Sequence, residues 1–199
     1  MFSSLKRCGD HEACTYLKDF GAATASNGAV GLYHVENITP EAVEQGQSLL
    51  TDGYQTYVID DAELERVYRE YPVIWKNPDA KPKLCFIGCP HLSLGQLQDW
   101  TAKIEAGLKK NGLKKITIPT VFTASPAVLK AFGETADAAK LKEFGVITSY
   151  ICPLMYMNNP LCKKKNVITC SNKLRTYTSA RFYTEADILD IITGKEGKK

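Results

Sequence analysis

The stretch Lys83-Leu-Cys-Phe-Ile-Gly-Cys-Pro-His-Leu-Ser-Leu-Gly-Gln-Leu-Gln-Asp-Trp100 decides how this chain folds. Leu84, Cys85, Phe86 and Ile87 form a short apolar run, the pattern of a strand buried on both faces. Gly88 breaks the run, and Cys89, Pro90 and His91 follow on a tight loop. Ser93 reads as a helix N-cap, and Gln96 three residues on completes a capping box. Leu94, Leu97, Trp100, Ile104 and Leu108 then recur at helical spacing. A thiol and an imidazole therefore stand at the carboxyl end of a buried strand, facing the start of a helix. In open α/β sheets ligands bind at that end. A helix N-terminus also favours thiolate over thiol and attracts anions. A βα turn that merely contains a cysteine has the same pattern, so this stretch is read together with the rest.

Outward from it, strand and helix patterns alternate. N-terminal to it, residues 11–24 can form a helix, and 22–28 is small and polar, leading into a strand expected over 29–35. Thr39-Pro40-Glu41 is a helix start, with Thr at the cap, Pro at N1 and an acid in the first turn, and that helix is expected to reach Leu50. A second strand is expected over 54–59, then a helix over 62–70 capped by Asp60 or Asp61, then a proline-rich connector over 71–82. C-terminal to the central stretch, strands are expected over 116–122, 146–151 and 167–169. Helices are expected after Ser125-Pro126, over 135–144 and over 185–193, and a polar loop over 154–166. This alternation predicts an α/β fold, a three-layer αβα arrangement on a mostly parallel sheet. The whole of 1–199 reads as one such unit, with a sub-boundary near 72–82. Residues 1–10 read as a ragged start.

A chain of 199 residues can bury one good core or two small domains. Its 44% hydrophobic and 24% charged content is that of a water-soluble globular protein. The net charge of +3 comes largely from scattered lysines, too sparse and too little interleaved with aromatics for nucleic acid. No apolar run approaches a membrane span, and no signal peptide is read at the start. Seven cysteines without a secretory signal read as reduced thiols, some of them metal ligands, in a cytoplasmic protein. Gly28 and Gly31 match neither a dinucleotide fingerprint nor a phosphate-binding loop.

Three strand ends share one design: Gly88-Cys89-Pro90, Ile151-Cys152-Pro153 and Thr169-Cys170-Ser171. Carboxyl ends of parallel strands share an edge, so the three thiols are candidates to converge on an iron–sulfur cluster or a zinc ion. The alternative is three buried, inert cysteines. His91 suits a general acid or an anion contact, and His34 ends another expected strand. Ser171 and Lys173 are candidates to bind a carboxylate or to act as base and acid, against the alternative of an N-cap and a solvated lysine.

Taken in order, Gly21-Ala-Ala-x-Ala-Ser-Asn-Gly-Ala-Val-Gly-Leu-Tyr-His34, Thr39-Pro-Glu-Ala42, Gly88-Cys-Pro-His-Leu-Ser93, Cys152 and Thr169-x-Ser-x-Lys173 resemble the catalytic region of the aconitase X family. The resemblance runs from about residue 16 onward and covers the C-terminal half of the family's large chain. It implies an aconitase-like fold and an iron–sulfur hydro-lyase acting on a small hydroxy acid. Cis-3-hydroxy-L-proline and mevalonate 5-phosphate are the substrates of the family's known activities. By the resemblance Cys89 and Cys152 are two of three cluster ligands, and Cys170 is a candidate third. Ser171, Lys173 and His91 then fall at catalytic positions, and His34, Ser93 and Ser26 at substrate-binding ones. The implied partners are a complementary N-terminal half, which carries the remaining ligand, and a small swivelling subunit or domain. The chain departs from the family at Tyr150-Ile151-Cys152 and at Cys170, where the family has Asp-Thr-Cys and Asn. Two alternatives follow from those departures: a stand-alone α/β remnant without turnover, and a zinc module built from Cys89, Cys152, Cys170 and His91.

Overall fold

The computed structural model describes residues 11–195, with side chains from residue 14 onward. The ragged start read at residues 1–10 and the lysines at 198 and 199 lie outside the described residues. The chain divides into two compact units, residues 1–72 and 73–199.

The described part of the first unit is helical: α1 (His11–Gly28), α2 (Pro40–Gln45) followed by a 3-10 turn (Gly46–Leu49), and α3 (Asp61–Glu70). Neither strand expected here forms. Residues 29–35 are irregular, with Ala29 at φ 53°, and 54–59 run without a partner, leaving Tyr57, Val58 and Ile59 exposed. Both stretches have β-rich composition, but a strand exists only where a neighbour takes up its backbone N–H and C=O groups. Tyr33 instead folds back on α1. Its hydroxyl donates to Leu17 O at 2.8 Å, and its ring meets Phe20 edge-on at 4.8 Å. Gly21 makes that approach possible, since a Cβ there would sit 3.2 Å from the Tyr33 hydroxyl. Helix α2 starts at Pro40 as read but stops at Gln45, short of Leu50. Thr39 turns its hydroxyl to Val35, accepting from Val35 N at 3.0 Å, rather than capping the helix. Asp60 does cap α3, accepting from Glu63 N at 2.8 Å.

The second unit is a five-stranded, all-parallel sheet in the order β3-β2-β1-β4-β5. Its strands are β1 (Leu84–Leu92), β2 (Thr120–Ala124), β3 (Val146–Ser149), β4 (Val167–Thr169) and β5 (Arg181–Phe182). One face is covered by α4 (Leu94–Lys110), α5 (Pro126–Gly133), α6 (Ala136–Glu143) and α10 (Glu185–Ile192). The other face carries three short helices, α7 (Pro153–Asn158), α8 (Pro160–Lys163) and α9 (Asn172–Tyr177). The result is the three-layer αβα arrangement. The Ser93–Gln96 capping box is present, with Gln96 N donating to Ser93 Oγ at 3.2 Å and Ser93 N to Gln96 Oε1 at 2.9 Å. From it α4 lays Leu97, Trp100, Ile104 and Leu108 on Cys85, Ile87, Phe122 and Ile168, and Trp100 meets Phe122 edge-on at 5.6 Å. On the opposite face Leu84, Phe86, Val121 and Val167 pack against Met157 and Leu174. The alternation from Leu84 to Ile87 is that of a strand buried on both sides.

Boundaries differ from the sequence reading where hydrogen bonding decides them. Strand β2 starts at Thr120 rather than 116, because Pro119 lacks an N–H and the N–H groups of Ile116 and Thr117 go to Phe144 O and Ile192 O. Strand β3 ends at Ser149. The expected loop over 154–166 is instead α7 and α8, each opened by a proline at its first turn. Strand β1 continues past Gly88 to Leu92 with an irregularity in its pairing to β2, so Cys89 to His91 belong to the strand rather than to a loop.

Candidate active site

From β1 the chain moves outward through β2 to β3, then crosses back to β4 and on to β5. The direction of winding therefore reverses between β1 and β4. In a doubly wound sheet, a crevice forms at the carboxyl ends of the strands flanking that reversal. The two strands deliver Cys89, Pro90 and His91 from β1, and Cys170, Ser171 and Lys173 just after β4. The Cys89–Pro90 peptide is cis.

Ser171, 8% exposed, joins the two strand ends. Its hydroxyl donates to the Cys89 carbonyl oxygen and accepts from Leu174 N at 3.0 Å, capping α9. Both functions of that hydroxyl are therefore engaged within the protein. The Cys89 thiol is within electrostatic reach of Ser171, Cys152 and Lys173. Burial pushes its pKa up, with the neighbouring Cys152 adding to the effect, while the Ser171 hydroxyl and the Lys173 ammonium pull it down. Four of the residues read from the sequence thus meet in one place. Cys152 arrives there as the residue preceding Pro153, at the head of α7.

Cys170 packs against the core on the α4 side, and its neighbour there is Cys85 rather than Cys89. Adjacent residues leaving a strand point to opposite faces, which separates Cys170 from Ser171. The grouping of Cys89, Cys152 and Cys170 with His91 as a zinc site is accordingly not assembled. Among the described residues no three His, Cys, Asp or Glu side chains come together to hold a metal ion. Two neighbouring thiols do not make a complete cluster or zinc ligand set, so the described residues by themselves do not fit such a group. His91 is half-buried within β1, and Ser93 is engaged at the α4 cap. In the first unit Ser26 bonds back to its own helix, donating to Ala22 O at 2.7 Å. His34, which no strand precedes, has its Nδ1 3.9 Å from a Glu41 carboxylate oxygen. Sequence reasoning missed one residue at the site, Thr123 of β2, for which no motif or spacing gives a signal.

Comparison with known proteins shows what this chain is similar to. Residues 1–69 match the family described as aconitase X second domain. The structure superimposes on the crystal structure of Thermococcus kodakaraensis aconitase X in its holo-form with a TM-score of 0.69 at 26% identity. That match covers 89% of this chain and 44% of the solved one. By sequence and by fold the chain is similar to part of the aconitase X proteins. More particularly, it is similar to phosphomevalonate dehydratase large subunits. It is 36% identical to that of Thermococcus kodakarensis over 132 residues, which is 66% of this chain and 31% of that protein. It is 28% identical to that of Methanocaldococcus jannaschii over 184 residues, 90% of this chain and 42% of that protein. The chain thus spans less than half the length of the relatives it matches.

Proposed function

We propose that this chain is part of an aconitase X-type hydro-lyase that removes water from mevalonate 5-phosphate, acting with further protein that completes the site. The observation that carries this reading is the meeting of Cys89, Cys152, Ser171 and Lys173 where the winding of the sheet reverses. The relatives' name favours mevalonate 5-phosphate over cis-3-hydroxy-L-proline. "Large subunit" in that name supports a smaller partner subunit.

In the completed enzyme Cys89 and Cys152 would be two of the cysteine ligands of an iron–sulfur cluster, and the complementary segment would supply the rest. Lys173, close to Cys89, supplies positive charge beside the anionic substrate. For Ser171 to abstract a proton, its hydroxyl must first leave the Cys89 carbonyl, a rearrangement that substrate or the complementary segment would drive. His91, Ser93, His34 and Ser26 remain proposed contacts on the strength of the family resemblance. A cytoplasmic location is part of the proposal; among the described residues no helix is long and apolar enough to cross a membrane.

The test is anaerobic purification with iron and sulfide reconstitution, alone and with the complementary region of a relative, comparing wild type with Cys89→Ser. Iron and a visible band near roughly 400 nm that depend on Cys89 support the reading. Equal iron in the two proteins refutes it.

A further inference from the structure

The pairing of β1 with β2 is regular through Ile87 opposite Phe122 and resumes at Leu92 opposite Ala124. Gly88, Cys89, Pro90 and His91 therefore face a single residue, Thr123. A bulge of this kind leaves carbonyl groups without their ladder partners, and Pro90 has no N–H to offer. Two hydroxyls, one from each neighbouring strand, take up the loss. From the β4 side Ser171 donates to Cys89 O; from the β2 side Thr123, which is wholly buried, donates from Oγ1 to Gly88 O at 2.6 Å. Thr123 is also pressed against the bulge. A Cβ at Gly88 would lie 2.3 Å from Thr123 O and 2.6 Å from Thr123 Oγ1, and Gly88 has φ 108°. The two peptides that flank Cys89 are thus each held by a side-chain hydroxyl, one from either neighbouring strand.

We propose that Thr123 is a positioning residue whose hydroxyl holds the Gly88–Cys89 peptide so that the Cys89 thiol keeps its place beside Cys152 and Lys173. A valine fills the same space and keeps the strand, but it leaves the Gly88 carbonyl free to swing. A serine restores the donor. The proposal deepens the reading of Cys89 as the site thiol and rests on it.

The experiment is native-state alkylation of the whole chain with iodoacetamide, read cysteine by cysteine by mass spectrometry, in wild type, Thr123→Val and Thr123→Ser. A buried thiol reacts through local opening, so its rate reports how firmly its segment is held. Loss of one hydrogen bond should speed labelling of Cys89 about five- to tenfold in Thr123→Val. Cys85, on the regular part of the same strand, should label at its wild-type rate, and Thr123→Ser should behave as wild type. A purely structural role would raise Cys85 and Cys89 together, and that result overturns the proposal. So does an unchanged Cys89 rate in Thr123→Val, or a Thr123→Ser rate equal to it. Should Thr123→Val not fold, Thr123→Ala, which adds no bulk, makes the same comparison. The iron measurement on Cys89→Ser is independent of these rates, so failure of the site reading and failure of the clamp are told apart.

Discussion

Gly88→Ala tests the geometry of the bulge most directly. Two costs act at once. The backbone at φ 108° lies in a region that L side chains rarely adopt, at about 1–3 kcal/mol. The added methyl also meets backbone, not the tip of a flexible side chain: Thr123 O at 2.3 Å and Thr123 N at 2.9 Å. Strand β2 is wholly buried and paired on both sides, so it yields only by overpacking the core, at about 1–3 kcal/mol. Together these imply a loss of about 2–6 kcal/mol for residues 73–199. Trp75 and Trp100, both buried, are the two tryptophans of the chain and both belong to this unit, so their fluorescence reports its unfolding. With a urea slope of about 2 kcal/mol/M, the midpoint should fall by about 1–3 M at unchanged slope. Gly95→Ala is the control. It sits exposed in the first turn of α4 with nothing within 4 Å of its would-be Cβ, and the midpoint should hold or rise slightly. A Gly88→Ala midpoint within about 0.3 M of wild type would refute the close approach of β1 and β2 at Thr123.

Three further outcomes are expected. Ser171→Ala removes both the tie to Cys89 O and the cap on Leu174 N, so thermal unfolding should show a loss of about 1–3 kcal/mol, larger than for Ser93→Ala. Ser93→Ala, which loses half of the capping box of α4, should cost about 1 kcal/mol by the same measurement and leave Cys89 labelling unchanged. Burial, with the nearby Cys170 adding to it, raises the Cys85 pKa well above its ordinary value. The unfolded chain therefore releases that proton first as pH rises, and the stability that the buried neutral thiol contributes is complete below the unfolded pKa and declines above it, by at most about 1.4 kcal/mol per pH unit. In urea titrations from pH 7 to 10, Cys85→Ala should lose less of its own stability across the alkaline range than wild type does; parallel curves would count against a buried neutral thiol.

Legibility differed sharply between the two units, and the reason is visible in particular residues. The run Leu84–Ile87, the Ser93–Gln96 capping box and the stripe Leu97, Trp100, Ile104 and Leu108 are local codes. A strand buried on both faces, a helix start and a helix face each need only neighbours in sequence to be recognised, and all three are present. Stretches 29–35 and 54–59 carry equally strand-like composition and are irregular. Nothing in either stretch encodes whether a partner strand will be there to pair with. At the site, the cysteines at 89 and 152 and the pair Ser171 and Lys173 were legible as strand-end residues, and they meet. Cys170 was legible by the same rule and lies with Cys85 on the other face, because the face a residue takes on leaving a strand depends on a single step of the backbone.

By itself, then, the sequence determined the alternation of elements, the caps that start α3 and α4, the layer class, and the thiols and hydroxyl that stand at strand ends. Those depend on periodicity and on side chains within a few residues of one another. Only the tertiary structure decided the strand order, the place where the winding reverses, and the clamp of Thr123 and Ser171 on the peptides around Cys89. The partners in that clamp lie 35 and 82 residues apart in the chain. Contacts of that separation follow from which strands lie side by side, a choice made by the packing of both sheet faces together rather than by any local run of residues.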